Sequence, residues 1–481
     1  MASSSIDKQK KQPIYQQIVT HFIEEIQAGI YGPGDRLPPE RSLAQTFGVN
    51  RSTVVKALDE LKSLGWIERK QGSGSRVLEG RWGNRQTPLS YLRSSLSSPY
   101  LQQDPYVQQI QHLRTEKDVL DLYTGDLPAD LIPDFTFPAF TWEEIRKEST
   151  KVLPTGYEPL QEILLQHLAD SFNLPTNGQK LVITAGSTQG ITLLMQVLLH
   201  AGDCIATEDP SFLFSLPLFS TMNVQLIGIK QDSEGMRPAA LEKVLKEKKI
   251  KFVYLNPTFQ NPTGHTMSDH RRQAIIRLCQ TYQVPIIEDD VFSELAFDKV
   301  PPKLKSMAPE TVIYLGSLSK LLGSSIKIGW LLVPEALADQ FAQAKKRMAI
   351  DTTIFPQVLA NIALRSFDYH QQQRTLLAEM AQRQQDLLQL LQAFQEDWQW
   401  QPTKGGLYLW LTWRHRTLTR KDWSLFLAND CLVAPAFLFS NDTNGLRLIY
   451  TRLAKDDLPL FQERFTKITQ QLKEQTYERN H

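Results

Sequence analysis

Short apolar runs of strand length alternate with helical stretches across about two hundred residues in the middle of this chain. The runs lie at 181–183, 252–255, 284–287 and 312–315 and contain almost no polar residue. A strand that is covered by helices on both faces has this pattern, whereas a strand with one wet face alternates apolar and polar residues. The sequence therefore predicts a large α/β domain around a sheet that is buried on both faces.

The N-terminal segment has a different pattern. Apolar residues recur every four positions from Ile14 to Ile26, which predicts a helix, and Pro38-Pro39 opens a second, short one. A third helix begins near Asn50, has Val54, Leu58 and Leu61 on one face, and stops at a glycine. Alternating residues at 66–70 and 75–78 flank a glycine-rich turn, as in a hairpin. The order helix, helix, turn, helix, hairpin predicts an α+β winged helix-turn-helix over residues 11–79.

Residues 80–116 are rich in Gln, Ser and Tyr, with only short apolar groups such as Leu89, Tyr91 and Leu92. This composition is typical of a linker, and we expect the segment to join the small N-terminal domain to the large one.

The composition excludes several classes of protein. Of the 481 residues, 41% are hydrophobic and 22% are charged, which excludes a largely disordered chain. The three cysteines, Cys204, Cys279 and Cys431, have neither a disulfide framework nor zinc-ligand spacing, and no metal site is predicted. Because we find no secretion signal and no membrane-spanning stretch, we expect a cytoplasmic protein that does not bind a membrane.

The formal net charge is only +1, but the positive charges are unevenly distributed. Between residues 36 and 76, eight Lys or Arg face four acidic residues, a local excess of +4. A basic patch within a helical reader favours double-stranded DNA as the partner. Four motifs of this region closely resemble those of the GntR-type winged helix. They are Leu37-Pro-Pro-Glu-Arg-Ser-Leu-Ala, Phe47-Gly-Val-Asn-Arg-Ser-Thr-Val, Leu64-Gly-Trp-Ile and Gln71-Gly-Ser-Gly.

The start of the third helix is the predicted reading surface, because short polar side chains and free backbone N–H groups there can contact phosphates and base edges. The wing tip could enter a minor groove. The predicted DNA-contacting residues are Arg41, Asn50, Arg51, Ser52, Thr53, Gln71 and Gly72.

Over roughly residues 117–475 the chain resembles the class I aminotransferases, which have the fold of type I pyridoxal-phosphate enzymes. The motifs occur in the family's order: Gly186-Ser-Thr-Gln, Glu208-Asp-Pro-Ser-Phe, Asn261-Pro-Thr-Gly, Glu288-Asp-Asp, Ser317-Leu-Ser-Lys, Lys327-Ile-Gly, Gly405-Gly and Gly445-Leu-Arg.

The resemblance implies pyridoxal 5'-phosphate as cofactor and assigns a role to each motif residue. Lys320 would bond covalently to the cofactor aldehyde, and Asp289 would keep the pyridine nitrogen protonated, which makes these two the catalytic residues. Arg447 would bind the carboxylate of an amino-acid-like ligand through a planar, two-pronged contact. The resemblance also implies that Phe212 stacks on the cofactor ring and that Asn261 donates to the ring hydroxyl. The implied phosphate donors are Ser187, Thr188, Gln189, Ser317 and Lys327.

The sequence departs from the family pattern at two positions. Many members have a tyrosine three residues after the aspartate, and Phe292 stands there in this chain. An arginine usually follows the lysine by seven residues, and Lys327 offers the charge without the arginine's forked geometry. We expect cofactor binding to survive both changes, and Phe292 favours sensing over efficient turnover.

A GntR-type reader fused to an aminotransferase-like domain resembles the MocR-type transcription regulators. That resemblance implies a homodimer that presents two readers to repeated or palindromic half-sites. In our hypothesis an amino compound takes the place of Lys320 on the cofactor and thereby changes how the readers span their sites.

Three functions remain open from the sequence. The large domain could sense an amino compound with little or no turnover, or it could be a working aminotransferase with a secondary DNA-binding role. It could also sense pyridoxal phosphate itself.

Overall fold

The computed structural model describes residues 13–27, 30–31, 34–70, 74–78, 100, 103–115, 118–440 and 444–480. They fall into two compact units, one up to residue 101 and one from residue 102. Each is described by itself below.

The first unit is the predicted winged helix. Its elements are α1 (Ile14–Gln27), α2 (Glu40–Phe47), α3 (Arg51–Ser63), β1 (Ile67–Lys70) and β2 (Gly74–Val77). The strands pair antiparallel, with Ile67 opposite Val77. Apolar side chains from all five elements form one core, and Ile18, Val54 and Leu61 are completely buried in it. The helical spacing seen in the sequence therefore places the exposed start of α3 on a rigid support.

The second unit contains most of the chain. Its helices are α4 (Pro105–Leu113), α5 (Trp142–Ser149), α6 (Glu158–Phe172), α7 (Ser187–Leu198), α8 (Leu218–Thr221), α9 (Pro238–Glu247), α10 (Asp269–Thr281), α11 (Leu304–Met307), α12 (Glu335–Arg347), α13 (Ile354–Arg365), α14 (Tyr369–Leu391), α15 (Arg420–Ala428) and α16 (Leu458–Asn480). Its strands are β3 (Leu120–Asp121), β4 (Val152–Leu153), β5 (Gly156–Tyr157), β6 (Gln179–Thr184), β7 (Cys204–Asp209), β8 (Gln225–Asp232), β9 (Gly235–Met236), β10 (Ile250–Leu255), β11 (Ile286–Asp290), β12 (Val312–Ser317), β13 (Gly329–Pro334), β14 (Trp398–Trp400), β15 (Tyr408–Trp413), β16 (Cys431–Leu432), β17 (Ala434–Pro435) and β18 (Gly445–Ile449).

A large mixed sheet organises this unit. Its strand order is β6-β13-β12-β11-β10-β7-β8-β9. The five strands from β12 to β8 run parallel, while β13 is antiparallel to both of its neighbours. Every residue of β11 is buried, including the three acids that end it. The predicted α/β architecture with a sheet covered on both faces is confirmed.

A smaller antiparallel sheet, in the order β14-β15-β18-β17, completes the unit. It places Arg447 on β18 opposite Trp410 of β15. The long helix predicted at about 371–394 is α14, followed by a 3-10 turn over Gln392–Phe394.

Part of the predicted linker is helical and packs on the large unit. Helix α4 begins at Pro105. The side chain of its N-cap residue, Asp104, accepts a hydrogen bond from the Tyr106 backbone. Tyr106 and Ile110 are buried, and the Tyr106 hydroxyl donates to the Val433 carbonyl at 3.1 Å. Apolar residues four positions apart in an otherwise polar stretch explain this docking. Within the described ranges, no helix combines the length and the apolar character needed to cross a bilayer.

A buried arginine fixes the loop that follows β10. Arg272 of α10 is fully buried and donates to the carbonyls of Met267 and Pro257 at 3.0 and 2.8 Å, and to the Thr258 hydroxyl at 2.9 Å. A Glu288 carboxylate oxygen lies 3.6 Å from the guanidinium. Burial lowers the pKa of Arg272, and the nearby acids oppose this shift. The guanidinium thus joins a helix, a loop and a central strand.

We predict that Arg272→Met lowers the free energy of unfolding by about 3–5 kcal/mol, because the acceptors are left unpaired in a dry interior. Arg277→Met is the matched control, since Arg277 is exposed on the same helix. Urea unfolding followed by circular dichroism compares the two variants. Equal losses for both would show that the buried contacts do not carry this stability.

Candidate functional site

Asp289 lies near the carboxyl end of β11, inside the large sheet. The Tyr254 hydroxyl, from neighbouring β10, donates to Asp289 Oδ2. The other oxygen, Oδ1, is buried and has no hydrogen-bond partner among the described residues. Burial raises the pKa of Asp289 to about 7; the nearby Asp290 adds to this rise, and hydrogen bonds from Tyr254 and the Val291 backbone oppose it. One oxygen of this buried carboxyl group is therefore an acceptor that no described residue uses.

Lys320 lies three residues beyond the end of β12. Parallel strands bring their carboxyl ends to one edge of a sheet, so Lys320 and Asp289 meet there. The positive charge of Lys320 also lowers the pKa of Asp289. The Lys320 Nζ donates to the Gly125 carbonyl at 2.7 Å and pairs with Asp126 Oδ1 at 2.6 Å. The predicted amine and carboxylate thus share one site.

Arg447 and Asn261 form a second pair in this site. Arg447 is buried and donates from Nη1 to Asn261 Oδ1 and from Nη2 to the Tyr123 carbonyl, both at 2.8 Å. Its Nε is buried without a partner among the described residues. The Tyr408 and Phe439 ring centroids lie 4.6 and 5.0 Å from the guanidinium carbon. Burial lowers the pKa of Arg447, so a bound anion would offset an existing cost.

Asn256 connects these groups, and sequence reasoning missed it. Its amide donates to the Asp289 carbonyl at 2.8 Å, and its Oδ1 accepts from the Asn261 backbone at 2.7 Å. The backbone N–H of Asn256 donates to the carboxyl group of Glu208, which is fully buried. Burial raises the pKa of Glu208 to about 8. The signal in the sequence was an Asn directly after the apolar run of β10.

The start of α7 forms one wall of the site. Gly186 precedes it with φ of 79°, and no side chain caps the helix. A Cβ on Gly329 would lie 2.8 Å from the Ser187 nitrogen, so β13 passes directly behind this first turn. Ser187 is half-buried and Thr188 is exposed. Gln189 instead holds the loop, since its side chain accepts from the Ala185 backbone at 2.8 Å and donates to the Ile350 carbonyl at 3.0 Å.

The predicted serine and lysine donors lie beside the same turn. Ser317 Oγ donates to the Ile328 carbonyl at 2.9 Å and accepts from the Ser319 backbone at 3.1 Å. A Cβ on Gly186 would lie 3.6 Å from Ser319 Oγ and 3.9 Å from the Cβ of Lys327, which is exposed. Ser319 was missed, although the Ser-Leu-Ser-Lys motif contains it. Helix N–H groups, a hydroxyl and an ammonium here could hold a phosphate.

Two phenylalanines remain: Phe212, which is in the predicted set, and Phe292, which departs from the family pattern. Phe212 is half-buried, and its backbone donates to the Asn261 carbonyl at 3.1 Å. Phe292, at the position where the family often has tyrosine, is buried edge-on against Tyr408, with ring centroids 5.3 Å apart. The site can therefore hold a flat ring with a basic nitrogen at Asp289 and a phosphate at α7.

The predicted reading surface lies at the start of α3 in the first unit. Asn50 is the N-cap and makes no side-chain cap bond, and Arg51 begins the helix. Arg41, Asn50, Arg51 and Ser52 are exposed, and Thr53 is half-buried. Gln71 and Gly72 lie outside the described residues.

Glu40 organises this surface and was missed in the sequence. It accepts from Arg51 Nε and Nη2 at 2.9 and 2.8 Å through one oxygen, and from Arg69 of β1 through the other. Arg69 also pairs with Asp59 of α3. The Arg51 side chain keeps 60% of its surface exposed, so its guanidinium is oriented but accessible. The signal in the sequence was the position of Glu40 within the Pro-Pro-Glu-Arg motif.

Comparison with known proteins gives a family for each unit. Residues 117–454 match the model of the aminotransferase class I and II family, and residues 14–77 match that of the bacterial regulatory proteins of the gntR family. The chain is 30% identical to an HTH-type transcriptional regulator, YisV of Bacillus subtilis, over 93% of this chain and 94% of that protein.

Relatives of the second unit include enzymes. The aromatic-amino-acid aminotransferase 1 of Thermococcus litoralis is 28% identical over 76% of this chain and 94% of its own length. The crystal structure of the multiple substrate aminotransferase of Thermococcus profundus superimposes with a TM-score of 0.71 at 25% identity, covering 80% of this chain and 99% of that one. The resemblances predicted from the motifs are confirmed at the level of family and fold.

We predict that the cofactor-free protein loses up to about 3 kcal/mol of stability between pH 5 and pH 8 through Asp289. The folded-state pKa of about 7 exceeds the unfolded value, so the folded form binds the extra proton and stability falls as pH rises toward 7. Asp289→Asn lacks this contribution, so the free energy of unfolding of the variant should increase relative to that of the wild type as the pH rises. Urea unfolding at both pH values measures the difference. A constant difference would contradict the assignment.

Proposed function

The chain belongs to the aminotransferase class I and II family and carries an N-terminal domain of the gntR family, and from this premise we propose that it is a cytoplasmic, DNA-binding transcription regulator that holds pyridoxal phosphate. The observation that supports the cofactor most strongly is the unpaired oxygen of Asp289 beside the Lys320 amine. A buried carboxylate with a vacant acceptor atom is costly unless a cationic donor fills the place. The protonated ring nitrogen of the cofactor is such a donor.

Each predicted residue then has a task for which the described contacts suit it. When bound, pyridoxal phosphate supplies an aldehyde carbon that bonds to a primary amine and a ring that withdraws electrons from that bond. Lys320 provides the amine, and Asp289 holds a proton on the ring nitrogen. Ser187, Thr188, Ser319 and Lys327 surround the place for the phosphate. Gln189 and Ser317 support that place through their backbone contacts.

The effector in this proposal is a small amino compound with an anionic group. Arg447 is already oriented by Asn261 and Tyr123, and its unpaired Nε leaves a donor for a carboxylate. A ligand that bonds in place of Lys320 can alter DNA binding only if it prefers one state of the protein over the other. Pyridoxal phosphate itself as the effector is the alternative.

Turnover as an aminotransferase is the second candidate function. The complete set of Lys320, Asp289, Asn261 and Arg447 favours it, as does the similarity to enzymes. Phe292 favours sensing, because its ring packs on Tyr408 and offers no hydroxyl to the cofactor. Sustained transamination between an amino acid and a keto acid would support the enzyme.

We extend the proposal to a homodimer. Helix α5, the β4–β5 hairpin and α13 are neighbours, since the Tyr157 backbone of the hairpin donates to Gln357 of α13 at 2.7 Å and α5 contacts α13. These elements expose large apolar side chains, among them Trp142, which is 70% exposed, and Phe355. A second copy of this chain would cover them and give the protein two readers.

We predict that wild-type protein loaded with pyridoxal phosphate is yellow and that Lys320→Ala lacks the visible band, because only Lys320 bonds to the cofactor. Lys346→Ala, an exposed lysine on α12, is the control and should keep the band. Borohydride reduction followed by peptide mass spectrometry locates the cofactor. A label on another lysine, or a colourless wild type, would refute the cofactor proposal.

We predict that Arg51→Ala weakens binding to the genomic fragments that the wild type selects by about 10- to 100-fold, because Arg51 is held at the exposed start of α3. Lys62→Ala, at the other end of α3, is the control that also removes one positive charge. Gel-shift titrations at several salt concentrations measure both variants. Unchanged affinity and salt dependence for Arg51→Ala would place the reading surface elsewhere.

A further inference from the structure

One four-residue stretch contacts two of the cations of the cofactor site, Lys320 and Arg447. Residues 123–126 precede the 3-10 turn Ala129–Leu131. The Tyr123 carbonyl accepts from Arg447 Nη2 at 2.8 Å, and the Gly125 carbonyl accepts from Lys320 Nζ at 2.7 Å. The stretch ends in a carboxylate, that of Asp126, which pairs with the same Lys320 nitrogen at 2.6 Å.

The Asp126 carboxylate is not among the cofactor and effector contacts proposed above. Lys320 is 21% exposed and Asp126 is 42% exposed, so solvent reaches the ion pair. Arg452 reaches only the backbone carbonyl of Asp126, at 3.5 Å, and its Nε holds the Asp121 carbonyl at 2.9 Å. Arg452 therefore holds the loop through backbone carbonyls, while the Asp126 carboxylate pairs with the Lys320 amine.

We propose that Asp126 is a positioning residue for the reacting amine: its carboxylate holds positive charge on the nitrogen at this place, first that of Lys320 and then that of an effector. The inference rests on the proposed function. With pyridoxal phosphate bound, Asp126 would hold the effector ammonium while that nitrogen takes the place of Lys320 on the aldehyde carbon, and the protons that the ammonium loses would pass to the released Lys320 amine. An effector recognised by Asp126 and Arg447 together is a zwitterion with a primary ammonium and an anionic group.

Several other charged or titratable groups lie around this stretch and set the background for a pH test. Asp289 responds to the charge of Lys320, and Tyr408 brings its hydroxyl within 3.2 Å of where a Cβ on Gly125 would lie. Arg447 and Arg452 approach the same stretch through its carbonyls. These groups are the same in the wild type and in a variant at position 126. A difference between the two proteins in the midpoint of the pH titration therefore reports the Asp126 carboxylate alone.

The experiment uses full-length protein loaded with pyridoxal phosphate and follows its visible absorption from pH 5 to pH 10. A nearby carboxylate favours the protonated nitrogen, so Asp126→Asn should lower the midpoint of the absorption change by about one pH unit. Asp126→Glu keeps the charge, so its midpoint should lie close to that of the wild type. Asp134→Asn makes the same chemical change at an exposed position in the same segment and should leave the midpoint unchanged.

Borohydride trapping on each variant separates the two levels of the proposal. Lys320 labelled in all variants with a lower midpoint only in Asp126→Asn supports Asp126. Lys320 labelled with equal midpoints in all variants, or an Asp126→Glu midpoint that matches Asp126→Asn, overturns the role of Asp126 and leaves the proposed function intact. A wild type without label at Lys320 overturns both.

Discussion

The burial of Asp289 is the constraint on which the rest of the site depends. A carboxylate in the centre of a sheet is unstable as an anion unless donors surround it. Here the Tyr254 hydroxyl and the Val291 backbone act on the group, while Oδ1 has no hydrogen-bond partner among the described residues. Burial raises the pKa of Asp289 to about 7, so the ionised form is less favourable here than in water. The protein therefore retains an unfavourable group that a cationic partner would relieve. Such stored cost is typical of a binding site and is not expected in a purely structural core.

The fold follows from the sequence where the pattern is local. Apolar runs locate the central strands because burial on both faces leaves no room for polar residues, although β11 extends beyond its run and carries Asp289 into the interior. Lys320, Asn261 and Arg447 could be named in advance because each stands in a short motif with fixed neighbours. The structure brings these three residues and Asp289 together from two strands, β11 and β18, and from the loops that follow β10 and β12.

Other residues could not be predicted because their roles depend on partners far away in the chain. Tyr254 reads as one more apolar residue of β10 until strand pairing places its hydroxyl on Asp289, 35 residues later. Asp126 lies 194 residues from Lys320, and no motif connects them. The helix α4 was hidden by its polar surroundings, since only Tyr106 and Ile110 are buried in it.

The two units hold their exposed or ligand-facing arginines in opposite ways. Arg51 is paired with an acidic side chain, Glu40, which also holds Arg69, so part of its charge is neutralised before any DNA arrives. Arg447 is held by the neutral amide of Asn261 and a backbone carbonyl, so its full charge remains for an anion. If Arg51 contacts DNA as proposed, phosphates would have to compete with a carboxylate at this site, which would lower affinity for DNA of any sequence and leave discrimination to base contacts. At the second site a single carboxylate would meet an oriented, dry and uncompensated guanidinium, the arrangement in which one ion pair contributes most.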